Sequence, residues 1–185
     1  FYFTNTTNLP SLNTFFVGLW IIHYINRTII FPFRIKTKGK KMPLAIALSA
    51  IFFNTINGVI NGYFLSVTDY SFSNSPLMIA GFVIFFIGLV LNIHSDNKLI
   101  SLRENNEGYQ IPKGQLFNFI SCPNHFGEII EWIGFAIIGL NLPALTFAIW
   151  TFCNLAPRSN NHHKWYKEKF KEYPKKRKAL IPFLW

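Results

Sequence analysis

The chain alternates between long apolar stretches and short polar or basic connections. Five of the apolar stretches come close to the roughly 20 residues that a helix needs to cross a bilayer. They cover residues 11–33, 44–65, 77–93, 116–140 and 142–155, and the last two are joined tightly at Asn141-Leu142-Pro143. The pattern predicts an all-α, multi-pass transmembrane helical bundle with about five spans.

Connections without Lys or Arg alternate with basic ones. In chain order they are residues 1–10 (none), 34–41 (basic), 66–76 (none), 98–113 (basic), the tight joint at 141–143 (none) and the tail from 158 onward (basic). Lys and Arg in short connections are retained on the cytoplasmic side during insertion. We therefore expect residues 1–185 to form a single membrane domain with an outward or lumenal N-terminus and a basic cytosolic tail over residues 158–185.

The composition fits a membrane protein better than a water-soluble one. Half of the residues are hydrophobic, 18% are aromatic and 14% are charged, and the net charge is +10. Because the basic residues follow the alternation of the spans, we assign the excess to the cytosolic membrane face and expect no nucleic acid. Two cysteines and five histidines without spaced metal-binding boxes lead us to expect no metal site.

Polar and ionisable residues cluster at the predicted cytosolic ends of four helices. The clusters are His23, Tyr24 and Arg27; Asn92, His94, Ser95, Asp96 and Arg103; Asn124, Gly127, Glu128 and Glu131; and Arg158, His162, His163 and Tyr166. Such groups are costly in a membrane and usually face a cavity or a partner. Amides, carboxylates, arginines and aromatic hydroxyls together suit a large anionic ligand such as a nucleotide.

Three of these clusters also have a structural interpretation. Arg27 could extend to the membrane surface, Ser121 or Asn124 could cap a helix, and the basic tail could lie on anionic lipid. A stripe of asparagines in the second helix, Asn54, Asn57 and Asn61, is interpreted as hydrogen bonding to a neighbouring helix. The chain has no GxGxxG, GxxxxGK[ST], HExxH or CxxC motif, so helices would have to bind a nucleotide.

From the first predicted helix to the last residue, the chain resembles the steroid 5-alpha-reductase (3-oxo-5-alpha-steroid 4-dehydrogenase) family. The matching motifs are His23-Tyr24-x-x-Arg27, NIHSD at 92–96, GYQIPKG at 108–114, SCPNHFGEIIEW at 121–132 and YPKKRKALIPF at 173–183. The resemblance implies a membrane oxidoreductase of the endoplasmic reticulum that acts in steroid and lipid metabolism. It implies hydride transfer from NADPH to the 4,5 double bond of a 3-oxo-4-ene steroid or sterol-like lipid.

The same resemblance implies roles for particular residues. Tyr24 is expected to be the catalytic donor to the carbonyl oxygen, where hydride addition places negative charge. The residues expected around NADPH are Arg27, Asn92, Asp96, Arg103, Tyr109, Asn124, Glu128, Arg158, His162 and Tyr166. Ile100 and Gln110 stand where family members often carry a basic residue, and Asn161 stands where some have a third histidine, so the preference for NADPH over NADH stays open.

One catalytic feature of the family is absent from this sequence, and other functions are possible alternatives. The family pairs its tyrosine with a Gln-Glu couple on a preceding helix, and because the sequence starts at Phe1, we expect a fragment of a chain with about seven helices. The relatives of this family include polyprenol and trans-2-enoyl thioester reductases, which are alternative functions. An isoprenylcysteine-type membrane methyltransferase, which would bind S-adenosylmethionine, and a non-enzymatic lipid-binding membrane protein are the alternatives from other classes.

Overall fold

A computed structural model describes residues 12–35, 42–68, 76–105 and 109–185. Its elements are α1 (Leu12–Tyr24), a π-helical segment (Ile25–Ile30), α2 (Phe31–Arg34), α3 (Leu44–Val67), α4 (Pro76–Asn105), a 3-10 turn (Gln115–Asn118), α5 (Pro123–Gly139) and α6 (Leu142–Lys169). Within these ranges the β structure is limited to one parallel bridge between Ile120 and Lys178. The predicted all-α bundle is confirmed.

Within the described ranges, three helical segments are long and apolar enough to cross a membrane. They are Asn13–Arg34, Leu44–Val67 and Pro76–Glu104. Their outward faces are apolar; on α3, for example, Ile51, Phe52 and Val59 are exposed. Such faces suit contact with lipid rather than water. Because α5 has 17 residues and α6 carries a polar second half, the count of five spans stays a prediction. The predicted N-terminal connection and most of the basic connection over 34–41 lie outside the described residues.

Three predicted helix boundaries are wrong. The apolar pattern predicts that residues 116–122 begin the fourth helix, but they form a turn and an irregular segment. Helix α5 begins at Pro123, whose fixed φ suits the first turn of a helix. In contrast, α4 continues well past residue 93 and α6 continues past Pro157 to Lys169. Hydropathy falls where polar residues begin, whereas the backbone hydrogen bonds of a helix continue across that border.

Helices α4 and α5 approach each other closely through glycines. Gly81 and Gly88 on α4 face Gly134 and Gly127 on α5. A Cβ atom added to Gly127 would lie 2.5 Å from the backbone nitrogen of Asn92 and 2.8 Å from the carbonyl oxygen of Gly88. Small residues let membrane helices pack backbone to backbone. This contact holds the polar ends of α4 and α5 side by side.

Aromatic rings fill the interior between α1, α5 and α6. The buried ring of Trp132 on α5 lies 5.0 Å from Trp20, 4.7 Å from His23 and 4.5 Å from Phe147, measured between centroids. The rings meet at steep angles, which is the arrangement that their quadrupoles favour. This packing fixes α1 against α5 and thereby orients the residues at the end of α1.

The segment after α6 folds back onto the chain that precedes α5. The Lys178 amide donates to the Phe119 carbonyl over 2.8 Å, and the Ser121 amide donates to the Lys178 carbonyl over 2.9 Å. The Ser121 hydroxyl also forms hydrogen bonds with His163 Nδ1 at 2.6 Å and with the Tyr173 hydroxyl at 2.7 Å. These bonds hold residues 119–122 in place between α6 and the C-terminal segment.

Candidate active site

A cavity of about 880 Å³ opens where the end of α4, the start of α5 and the second half of α6 converge. Its volume lies in the range of about 300–1,000 Å³ typical of small-molecule and cofactor sites. The residues of the predicted NADPH set that line it are Asp96, Arg103, Tyr109, Asn124, Arg158, His162 and Tyr166. Residues from three distant stretches of the sequence therefore share one cavity.

The other three members of that set, Arg27, Asn92 and Glu128, belong to a network behind the cavity wall. The Arg27 guanidinium donates to Asp96 Oδ2 over 2.8 Å and to Glu128 Oε2 over 2.5 Å. Asn124 Nδ2 donates to Asp96 Oδ1 over 3.0 Å, and Asn92 Nδ2 donates to the Asn124 carbonyl over 2.9 Å. One arginine thus connects α4 and α5 through charge-assisted hydrogen bonds.

These contacts decide between the interpretations of three polar residues. Arg27 does not extend freely to the membrane surface, because both ends of its guanidinium fork meet carboxylates. Asn124 and Ser121 do not cap α5, since the N-cap residue is Cys122 and no side chain makes a capping bond there. The polar groups at these helix ends form hydrogen bonds with one another instead.

Aromatic rings and cations share the opposite wall of the cavity. The Arg103 guanidinium lies 5.5 Å from the centroid of the Tyr109 ring, and that ring meets Trp165 edge to face at 4.9 Å. Tyr166 is placed one position further along α6, where burial raises the pKa of its hydroxyl to about 12. At neutral pH this hydroxyl stays protonated and can donate a hydrogen bond to a ligand.

His162 lies among positive charges at the edge of the cavity. Desolvation lowers its pKa below the ordinary value, and the neighbouring Arg103 and Arg158 lower it further. The imidazole is therefore neutral at pH 7, and the two arginines carry the positive charge that faces an anion.

Tyr24 lies apart from the cavity lining, one helical turn before Arg27. Its hydroxyl donates to Asn54 Oδ1 on α3 over 2.7 Å, and its ring stacks on Trp20 at 5.2 Å. The preceding residue, His23, faces α5 instead and bonds through Nδ1 to Glu131 Oε1 over 2.9 Å, both side chains being buried. The end of α1 therefore directs a hydroxyl toward α3 and an imidazole toward α5, and the following π-helical segment directs Arg27 toward α4 and α5.

Not every residue of the predicted clusters lines the cavity. His94 bonds to Gln115 Oε1 at 2.5 Å, and His163, outside the lining, bonds to Ser121. Conversely, Cys122, His125 and Trp165 line the cavity although the sequence did not predict that they bind the cofactor. Cys122 and His125 belong to the SCPNHFGE motif, but nothing in the linear pattern distinguishes their orientation from that of their neighbours.

Of the three residues that depart from the family pattern, two line the cavity and one does not. Ile100 and Asn161 line the cavity, whereas Gln110 is exposed and outside the lining. The cations that line the cavity are Arg103, Arg158 and Lys169. Positive charge thus reaches the cavity from α4 and α6.

Comparison with known proteins identifies the family. Residues 40–185 match the family model described as 3-oxo-5-alpha-steroid 4-dehydrogenase. The chain is 43% identical over 176 residues to 3-oxo-5-alpha-steroid 4-dehydrogenase 1 of Bos taurus, an alignment that covers 93% of this chain and 68% of that protein. It is 44% identical over 177 residues to steroid 5-alpha-reductase DET2 of Arabidopsis thaliana, covering 90% and 68% respectively. The chain therefore belongs to the 3-oxo-5-alpha-steroid 4-dehydrogenase family of membrane oxidoreductases.

Proposed function

We propose that the protein is an NADPH-dependent membrane reductase that transfers hydride to the 4,5 double bond of a 3-oxo-4-ene steroid or sterol-like lipid. The observation that carries this proposal is the position of Tyr24, one turn from Arg27, which joins an apolar helix end to the polar cavity network. A reduction of this kind needs a water-soluble cofactor and an apolar substrate to meet at one place. The relatives are named for steroid reduction.

The residues of the cavity fit a phosphorylated nucleotide. Arg103 and Arg158 supply permanent positive charge for phosphate oxygens. Tyr109 and Trp165 offer ring faces and edges to a base, and Tyr166 offers a protonated hydroxyl. We assign cofactor binding to the residues predicted from the sequence: Arg27, Asn92, Asp96, Arg103, Tyr109, Asn124, Glu128, Arg158, His162 and Tyr166.

Two roles are distinguished within that set. The residues that line the cavity are assigned direct contact with the nucleotide. Arg27, Asn92 and Glu128 are assigned a supporting role. Arg27 holds Asp96, Asn92 holds the Asn124 carbonyl, and Glu128 accepts from both Arg27 and Asn92. Fixing polar groups before a ligand arrives reduces the ordering cost of binding.

NADPH, when bound, supplies a hydride from C4 of its dihydronicotinamide ring to the β carbon of the enone, and leaves as NADP⁺. The electron pair of the double bond moves toward the carbonyl, so negative charge grows on the substrate oxygen. Tyr24 is assigned the stabilisation of that oxygen by donating its hydroxyl hydrogen bond. A proton from solvent is then added at the α carbon, which completes the saturated ketone.

The apolar helix surfaces suit a substrate that arrives from the bilayer. The Tyr24 ring lies against Trp20 at 5.2 Å, and Trp20 in turn contacts Phe147 at 5.1 Å.

We assign residues 1–185 to one membrane domain of the endoplasmic reticulum with the basic tail over 158–185 in the cytosol. Protease digestion of sealed microsomes tests this orientation, because a tail facing the cytosol is cleaved without detergent and a lumenal tail is protected.

The decisive experiment measures NADPH oxidation by the full-length protein in microsomes, with and without a 3-oxo-4-ene steroid. We expect oxidation that depends on the steroid and falls about 10²- to 10³-fold in Tyr24→Phe, which leaves a measurable rate, since this variant keeps the ring and removes the donor. The same assays with NADH, a polyprenal and an enoyl thioester identify the cofactor and the substrate class. Absence of NADPH binding, or binding of S-adenosylmethionine in its place, would overturn the proposal.

A further inference from the structure

The face that α3 buries is polar, although the helix is otherwise apolar and exposed. Its buried residues are Asn57, Asn61 and Leu65. Steps of three and four residues place Asn54, Asn57 and Asn61 along one side of the helix. Primary amides are expensive inside a membrane bundle unless hydrogen bonds or a function retain them. We call these three residues the asparagine ladder.

The side chains of the asparagine ladder contact one another and the Tyr24 hydroxyl. Asn61 Nδ2 donates to Asn57 Oδ1 over 3.0 Å, which leaves Asn57 with its own Nδ2 as a donor. That nitrogen is buried and has no well-formed partner among the described residues, and the Asn57 side chain lies close enough to interact with the Tyr24 hydroxyl. The Tyr24 hydroxyl donates to Asn54 Oδ1 over 2.7 Å.

The prediction that these asparagines hydrogen-bond a neighbouring helix is confirmed for Asn54, which accepts from Tyr24 of α1. The Asn61 amide bonds within α3, to the side chain and to the carbonyl of Asn57. Asn13 adds a second polar connection between α1 and α3, because its Nδ2 donates to the carbonyls of Leu65 and Thr68. Contacts between helices therefore account for Asn54 but leave the amides of Asn57 and Asn61 to be explained.

We infer that Asn57 and Asn61 are positioning residues for Tyr24, an inference that rests on the proposed function of Tyr24 as hydrogen-bond donor. Asn61 holds the Asn57 amide with its nitrogen toward Tyr24. A donor directed at the tyrosine oxygen polarises its O–H bond and strengthens the hydrogen bond that the hydroxyl gives. Asn54 accepts that bond in the free protein, and the substrate carbonyl oxygen replaces Asn54 when it binds.

A double-mutant cycle tests the inference in the full-length protein. Asn57→Leu keeps a similar side-chain size and removes the donor. We expect kcat to fall about tenfold, the rate equivalent of one hydrogen bond, with unchanged NADPH affinity. In a Tyr24→Phe background the same substitution should cause no further loss, because the group that it acts through is absent.

Asn61→Leu is the second variant, and it keeps the test decisive if Asn57→Leu does not fold. It should lower kcat by a smaller factor, again only when Tyr24 is present. Thr55→Val is the matched control, since Thr55 is exposed on the same helix and should leave kcat unchanged. Rates are expressed per mole of protein that binds NADPH, so loss of folded protein does not count as loss of turnover.

The outcomes separate two failures. Equal losses with Tyr24 present and in the Tyr24→Phe background, or no loss from either asparagine variant, would overturn the positioning role while Tyr24 stays the donor. Full steroid reduction by Tyr24→Phe alone would overturn the donor assignment, and the inference with it. A loss that requires Tyr24 supports both.

Discussion

Replacing Gly127 by alanine should separate two helices and dismantle the cavity network. The added Cβ atom would lie 2.5 Å from the backbone nitrogen of Asn92 and 3.0 Å from the carbonyl carbon of Leu91. All of its nearest neighbours are backbone atoms, including the Gly88 carbonyl oxygen at 2.8 Å. No side chain can rotate away to make room, so α4 and α5 must move apart.

The size of that movement follows from the same distances. Ordinary van der Waals contact begins at 3.4 Å, so the shortest contact falls 0.9 Å short, the difference between 3.4 and 2.5 Å. A shift of this size would stretch the Asn124–Asp96 and Asn92–Asn124 bonds, now 3.0 and 2.9 Å, toward about 4 Å, where little hydrogen bonding remains. Overpacking alone costs about 1–3 kcal/mol.

The assay is thermal unfolding in detergent together with NADPH binding, and Gly62→Ala is the matched control. Nothing lies within 4 Å of a Cβ atom on Gly62, so alanine there should gain about 1 kcal/mol of helix propensity or be neutral. We expect Gly127→Ala to lower the melting temperature by several degrees and to weaken NADPH binding. Unchanged melting and binding in Gly127→Ala, or equal damage in Gly62→Ala, would refute the reasoning.

Three further predictions concern charges and hydrogen bonds. Arg27→Met should cost about 3–5 kcal/mol of stability by leaving two carboxylates unpaired, and unaltered unfolding would contradict this. Ser121→Ala should lower the melting temperature because His163 and Tyr173 lose their shared partner; Thr146→Ala, an exposed helix position, is the control. Burial lowers the pKa of His163 in the folded protein, with Lys167 nearby, so its contribution to stability is present above about pH 6.5 and lost as the pH falls. His163→Asn should flatten that part of the stability–pH curve.

The apolar segments were sufficient to predict the helical membrane class, because their length and period follow from local composition. The predicted helix boundaries were wrong where the local composition does not determine the backbone conformation. Residues 116–122 are apolar enough to suggest a helix, yet the end of this segment is held in another conformation by bonds to Lys178 and Ala179, more than fifty residues away. No local pattern contains that contact.

The candidate site shows the same division. Helical spacing correctly placed Asn92 with Asp96, and Asn124 with Glu128, on shared faces, since four residues make about one turn. It could not show that Arg27 from the π-helical segment after α1 would join those faces. It also placed His163 in a cluster with His162, although only His162 lines the cavity.

By itself, the sequence determined the class of this protein: apolar periodicity requires helices in a bilayer, and the motifs indicate the family. The tertiary structure alone decided which polar groups meet. Glycines set the distance between α4 and α5, the backbone of the C-terminal segment fixed the chain before α5, and the asparagine ladder of α3 came to face Tyr24. The physical reason is that hydrogen bonds between distant residues depend on ångström-scale helix separation, whereas helix formation depends on neighbours in the chain.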